Sequence, residues 1–195
     1  MSIWVKICGL TDAAAIEAVV QASVQAAGFV FADSPRKVAP TVAAGLAQQL
    51  TSDIATVAVF LRPTQAQVDE VLQDFHPDYV QADWSALAEL DLPESVMLLP
   101  VLREGQNTDR QQLPSRFLFE GVNSGAGETV DWQQAAVLGR HGDLILAGGL
   151  DPANVRNAIK VARPFGVDVS SGVENAPGSK DPERIMEFVN QVRTQ

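Results

Sequence analysis

Short apolar runs alternate with helix-period segments along the whole chain, and this alternation constrains the fold more than any other feature. The strands read from it are Ile3–Cys8, Ala27–Phe31, Thr56–Leu61, Tyr79–Ala82, Val96–Val101, Arg116–Glu120, Leu144–Ala147 and Gly166–Val169. Most show no in/out alternation, as expected of parallel strands buried on both faces. The helical segments are Asp12–Ala22, Pro40–Leu50, Gln65–Phe75, Trp84–Leu90, a short stretch near Thr108–Leu113, Trp132–Leu138, Pro152–Val161 and Pro182–Arg193. Asp12, Asp131, Asp151 before Pro152 and Asp181 before Pro182 are read as helix caps. Residues 104–112 read as a surface loop or a poorly formed helix.

Eight β-then-α units imply either a closed barrel or a doubly wound sheet. The doubly wound dinucleotide fold usually carries G-x-G-x-x-G after its first strand, whereas this strand runs into Cys8-Gly9-Leu10-Thr11. At 195 residues the chain is just under the usual size of a (β/α)8 barrel. No linker or low-complexity tract divides it, so residues 1–195 are read as one catalytic domain.

Composition narrows the function classes. The sequence is 46% hydrophobic and 19% charged, which fits a globular protein. The formal net charge of −10 argues against a nucleic-acid partner, which needs clustered Lys and Arg. No apolar run reaches the ~20 residues of a membrane span. The segment MSIWVKICGLT lacks the pattern of a signal peptide. A single cysteine forms no internal disulfide, and two histidines with one cysteine do not make a usual zinc site. The expectation is a cytoplasmic protein that neither spans a membrane nor holds a usual zinc site.

Barrel enzymes work from the C-terminal ends of their strands. Those ends carry Cys8, then Asp33, Ser34 and Arg36, then Arg62, Gln81, Asp83, Arg103, Glu120, Gly148 and Gly149, and finally Asp168, Ser170, Ser171 and Gly172. Loops seven and eight of such a barrel commonly bind phosphate through backbone N–H groups. The pairing of Gly148-Gly149 with Ser170-Ser171-Gly172 suits that task. Cys8 could act as base or nucleophile, or be a buried small hydrophobe. Glu120 in an apolar pocket would hold a proton and could act as an acid. The planar guanidinium of Arg36 suits a carboxylate held bidentately. His76 and His141 fall at the opposite face and read as structural. Trp4, Trp84 and Trp132 read as packing residues.

KICGLT at 6–11, GFVFADSPRKV at 28–38, SGAGETVDW at 124–132, LILAGGLDPANV at 144–155 and GVDVSSGVENAPGSKDP at 166–182 together resemble the phosphoribosylanthranilate isomerases. The resemblance runs from the first strand to the last helix. It implies a single (β/α)8 TIM barrel, a monomer or homodimer, and an Amadori rearrangement of a phosphorylated small-molecule substrate in tryptophan biosynthesis, without metal or cofactor. It implies Cys8 as general base and Glu120 as general acid. Arg36 would grip the anthranilate carboxylate, with Gln81 and Asp168 as further substrate-binding residues. Gly148, Gly149, Ser170, Ser171 and Gly172 would form the phosphate cradle. Alternatives are an isomerase of histidine biosynthesis, a bifunctional isomerase, or a non-catalytic barrel that binds a phosphate ligand. The chain departs from the family pattern twice. Val80-Gln81-Ala82-Asp83-Trp84 stands where Val-Gln-Leu-His-Gly is common, and Glu120 replaces an aspartate.

Overall fold

A computed structural model describes residues 3–106, 112–122 and 127–194. Eight parallel strands close into a barrel: β1 (Trp4–Cys8), β2 (Ala26–Val30), β3 (Ala55–Val59), β4 (Tyr79–Asp83), β5 (Met97–Arg103), β6 (Arg116–Glu120), β7 (Asp143–Leu146) and β8 (Gly166–Val169). Closure is made by β1, which pairs with β2 in register Lys6↔Ala26 and with β8 in register Lys6↔Asp168. The doubly wound alternative is thereby excluded. Burial follows the chemistry of the strands, since every residue of β2, Ala-Ala-Gly-Phe-Val, is buried.

Around the barrel lie α1 (Ala13–Gln21), α2 (Pro40–Ala47), α3 (Gln65–Asp74), α4 (Trp84–Leu87), α5 (Trp132–Leu138), α6 (Val155–Ala162) and α7 (Pro182–Arg193). A 3-10 turn at Ser171–Val173 follows β8, and a small antiparallel pair, β9 (Glu174–Ala176) and β10 (Ser179–Lys180), precedes α7.

The side-chain period of two splits the strands into two apolar layers. Cys8, Val30, Val59, Leu99, Val101 and Leu118 pack inside the barrel. The larger layer lies between sheet and helices. There Phe29 of β2 meets Phe75 at the end of α3 edge-on, with ring centroids 5.4 Å apart. The α7 stripe Ile185, Phe188, Val189 and Val192 is buried in this layer, as its 3.6-residue spacing requires. Trp84 and Trp132 pack on its margin, and Trp4 packs against the interior layer.

Local capping signals were good guides. Asp12 accepts from the Ala15 N–H, Asp131 from Gln133 and Gln134, and Asp181 from Glu183 and Arg184 with Pro182 in the first turn. Asp151 is different. Its Oδ1 accepts from the Ala153 and Asn154 N–H groups within a separate turn, and α6 begins only at Val155. Pro152 therefore precedes the helix instead of opening it. The fourth helix ends at Leu87, three residues short of expectation. Conversely, β4 extends to Asp83 and β5 to Arg103, so both charged groups sit on rigid strands rather than in loops. Most of the helix expected near Thr108–Leu113 lies outside the described residues.

Candidate active site

Counting by two from the interior layer identifies which strand-end groups point into the barrel mouth. Lys6 shares the inward face with Cys8, Arg103 with Val101, and Glu120 with Leu118. His76 and His141 instead lie exposed near the N-terminal ends of β4 and β7, away from the mouth.

Lys6 is completely buried, and its Nζ lies 2.9 Å from Asp168 Oδ1 across the β1–β8 seam. Burial works against the ammonium, but Asp168 and Cys8 outweigh it and hold its pKa above the ordinary value. Cys8, at 7% exposure, closes β1 directly above. Burial pushes its thiol up, and the neighbouring charges of Lys6 and Lys180 pull the other way. The thiol is therefore a desolvated group beside a buried cation. Where it ionises, that cation stabilises the thiolate.

A second ionic chain runs behind Cys8. Arg36 holds Glu174 bidentately, Nε to Oε1 at 2.7 Å and Nη2 to Oε2 at 2.9 Å. The fully buried Lys180 side chain reaches the same Oε1 at 2.7 Å and the Ser170 carbonyl at 3.1 Å. The Ser170 hydroxyl donates to the Cys8 carbonyl at 3.0 Å. Burial disfavours the Glu174 carboxylate, yet Arg36 and Lys180 outweigh it and lower its pKa. The bidentate edge of Arg36 thus faces Glu174, inside the protein. Glu174 and Lys180 were not picked out from the sequence. They lie in the GVENAPGSKDP segment, and only the β9–β10 turn brings them together.

On the opposite side of the mouth, Asp83, Arg103 and Glu120 form a third set. Arg103 Nε and Nη2 approach Asp83 Oδ1 at 2.9 and 2.7 Å, and Arg103 Nη1 is ion-paired with Glu120 Oε1. Arg62, largely exposed, holds the other Asp83 oxygen at 3.0 Å. Glu120 thus rests against a guanidinium, neither simply solvated nor in a purely apolar pocket. Gln81 is also buried at the mouth, and its Oε1 has no hydrogen-bond partner among the described residues. A buried acceptor without a partner is unfavourable unless a ligand supplies a donor.

These groups line one cleft of about 910 Å³, bordered by Cys8, Arg36, Gln81, Arg103, Glu120 and Asp168 among others. A smaller cavity of about 40 Å³ adjoins it and shares Glu120, Asp168 and Ser170. Gly148, Gly149 and Ser171 line this cavity too. Gly148 and Gly149 have φ of +84° and +60°, the left-handed region where glycine is favoured. Gly172 does not line the cavity. Its role is close approach, because a Cβ there would lie 1.9 Å from the Leu150 carbonyl oxygen. Gly172→Ala is expected to push loop seven away from loop eight, destabilising the fold by about 1–3 kcal/mol. Its Tm should fall by roughly 3–10 °C in a calorimetric scan. An unchanged Tm would show that the loops separate freely. Residues 124–126 of the SGAGETVDW segment lie outside the described residues.

The mouth as described is a cleft bordered by a thiol, a carboxyl and the Arg36 guanidinium, and it adjoins a glycine-rich recess. A family model described as N-(5'phosphoribosyl)anthranilate (PRA) isomerase matches residues 5–191. The N-(5'-phosphoribosyl)anthranilate isomerase of Streptococcus gordonii is 38% identical, over 97% of this chain and 97% of its own. The crystal structure of phosphoribosyl anthranilate isomerase from Thermotoga maritima superposes with a TM-score of 0.84 at 28% identity, covering 99% of this chain and 100% of that one. A structure of such an isomerase in complex with reduced 1-(o-carboxyphenylamino)-1-deoxyribulose 5-phosphate has a TM-score of 0.78 at 28% identity, over 99% of this chain and 100% of that one.

Proposed function

This chain belongs to the N-(5'-phosphoribosyl)anthranilate isomerase family, and from that premise we propose how its barrel mouth converts N-(5'-phosphoribosyl)anthranilate to 1-(2-carboxyphenylamino)-1-deoxyribulose 5-phosphate. The observation that carries the assignment of roles is that Cys8 and Glu120 border one cleft, which continues into the glycine-rich recess. A substrate with an anionic group at each end would set its carboxylate at Arg36 and its phosphate in that recess.

Glu120 is the general acid. It gives a proton to the furanose ring oxygen, the C1'–O bond breaks, and the anilino nitrogen supplies the electrons to form a protonated imine. Cys8, as thiolate, removes the C2' proton, and the C–H electron pair moves into a C1'=C2' double bond as the imine is neutralised. The resulting enol-amine takes a proton at C1' and loses the hydroxyl proton at C2', giving the ketone. The chain of bond changes is complete without oxidant or reductant, and one acid with one base supports it.

The ionic sets around the mouth support the same roles. Lys6 stabilises the Cys8 thiolate from below. Arg36, with its bidentate edge already held by Glu174, meets the anthranilate carboxylate through Nη1. Gln81 takes a hydroxyl donor of the sugar, and Asp168, fixed by Lys6, faces the ribose from β8. Gly148, Gly149, Ser170 and Ser171 receive the 5'-phosphate, and Gly172 keeps their two loops in contact. The reading also answers the charge problem, because Arg36 and the glycine-rich recess hold an anionic ligand locally within a chain of net charge −10.

Turnover of N-(5'-phosphoribosyl)anthranilate by purified protein tests the reading. The expected result is a kcat within the ordinary range of about 1–10³ s⁻¹, together with rescue of a tryptophan auxotroph. Binding of the reduced product analogue without turnover or rescue would leave a ligand-binding barrel and overturn the catalytic reading.

A further inference from the structure

Two departures from the family pattern, Asp83 at the end of β4 and Glu120 at the end of β6, meet on one side chain. Arg103 at the end of β5 is 7% exposed and lies between them. Arg103 and Glu120 are register partners on neighbouring strands, while Asp83 pairs with Val101, two residues before Arg103 on the same face. The guanidinium gives Nε and Nη2 to Asp83 at 2.9 and 2.7 Å. Its Nη1 is ion-paired with Glu120 and lies 3.3 Å from the Gly121 carbonyl.

A guanidinium is planar and its N–H groups form a fixed fork. Holding two of its nitrogens on Asp83 therefore determines where the third points. We propose that Arg103 is a positioning residue for the acid, aimed by Asp83, and that these three side chains act as one set which places the longer Glu120 side chain at the sugar ring oxygen. The inference deepens the functional reading above and rests on Glu120 being the acid.

The chemistry favours such a set. Glu120 has one more methylene than the aspartate it replaces, hence one more torsion to fix before its carboxyl is in place. The Nη1 contact restrains that torsion. The guanidinium favours the ionised carboxyl before the reaction too, so its benefit lies in the transition state, where it is already oriented towards the charge that develops as Glu120 gives up its proton. The Asp83 carboxylate balances the guanidinium, so a cation buried in the wall does not stand uncompensated.

Steady-state kinetics on N-(5'-phosphoribosyl)anthranilate test the proposal with Arg103→Gln, Arg103→Lys, Asp83→Asn, Glu120→Gln and the double variant Arg103→Gln/Glu120→Gln. Arg103→Gln is expected to lower kcat by about 10²-fold, with KM changing by less than about 3-fold, because the contact matters in the transition state. Arg103→Lys keeps the charge without the fork and should fall between wild type and Arg103→Gln. Asp83→Asn should lower kcat by about 10-fold. In the double variant kcat should be no lower than in Glu120→Gln alone, since residues acting as one unit are not additive.

If Arg103→Gln keeps wild-type kcat, or if it subtracts its full factor again in the Glu120→Gln background, the set does not exist. A rise in KM with kcat intact would make Arg103 a substrate contact and overturn the proposal equally. Should Arg103→Gln fail to fold, Arg103→Lys and its double variant with Glu120→Gln decide by the same criterion. A failure of the underlying reading looks different, for Glu120→Gln would then turn over like wild type.

Discussion

Cys8→Ser is expected to lower kcat by about 10³-fold, within the range typical of a lost general base, while KM stays near the wild-type value. The two side chains are close in size, so the packing at the β1 end and the Ser170 bond to the Cys8 carbonyl are preserved. Lys6 and Asp168 also keep each other. What changes is the acidity of the group beside Lys6. A thiol in this position can yield a thiolate, because the ammonium opposes the burial that pushes the thiol up. An alkanol gives up its proton far less readily, and the same ammonium cannot make up the difference. The loss therefore falls on the step that removes the C2' proton, after the substrate is bound. A Cys8→Ser enzyme with unchanged turnover would remove the thiol from the mechanism.

Glu120→Gln is the second large effect, a fall in kcat of about 10²–10⁴-fold. The amide has the shape of the carboxyl and can still meet Arg103 Nη1 through its oxygen, so folding and substrate binding should survive. It has no proton to give to the ring oxygen. Glu120→Asp sharpens the test. Aspartate is the family's usual residue, but here it would withdraw the carboxyl by about 1 Å, a displacement that can lower rates ~100-fold. Turnover reduced in Glu120→Asp and nearly abolished in Glu120→Gln is the expected pattern. Equal rates in all three enzymes would exclude proton donation from this position.

Legibility in the sequence follows the range of the interaction involved. Asp12, Asp131 and Asp181 act on N–H groups two or three residues ahead, and such contacts are written locally. Asp151 shows the limit of that reading. Asp-Pro opens a turn as readily as a helix, and here it opens the turn before α6. The strands were visible because both of their faces are apolar. Their C-terminal extensions were not, since Asp83 and Arg103 look like loop residues until the partner strand is known. Cys8, Glu120 and the glycines could be picked out by their place at strand ends. The bond from Arg36 to Glu174 spans 138 positions, and nothing near Arg36 announces it. This bidentate contact with an internal carboxylate is therefore visible only in the fold.

The seam between β1 and β8 bears on how the molecule comes into being. Lys6 and Asp168 are 162 positions apart, so a ribosome that has delivered the first strand must deliver almost the whole chain before the second arrives. Until then the lysine lacks the carboxylate that makes its burial tolerable, and the N-terminal strand keeps one edge open. Contacts this distant in sequence form slowly. A chain stopped before Asp168 would leave that strand's edge unpaired, as a target for chaperones or for other copies of itself.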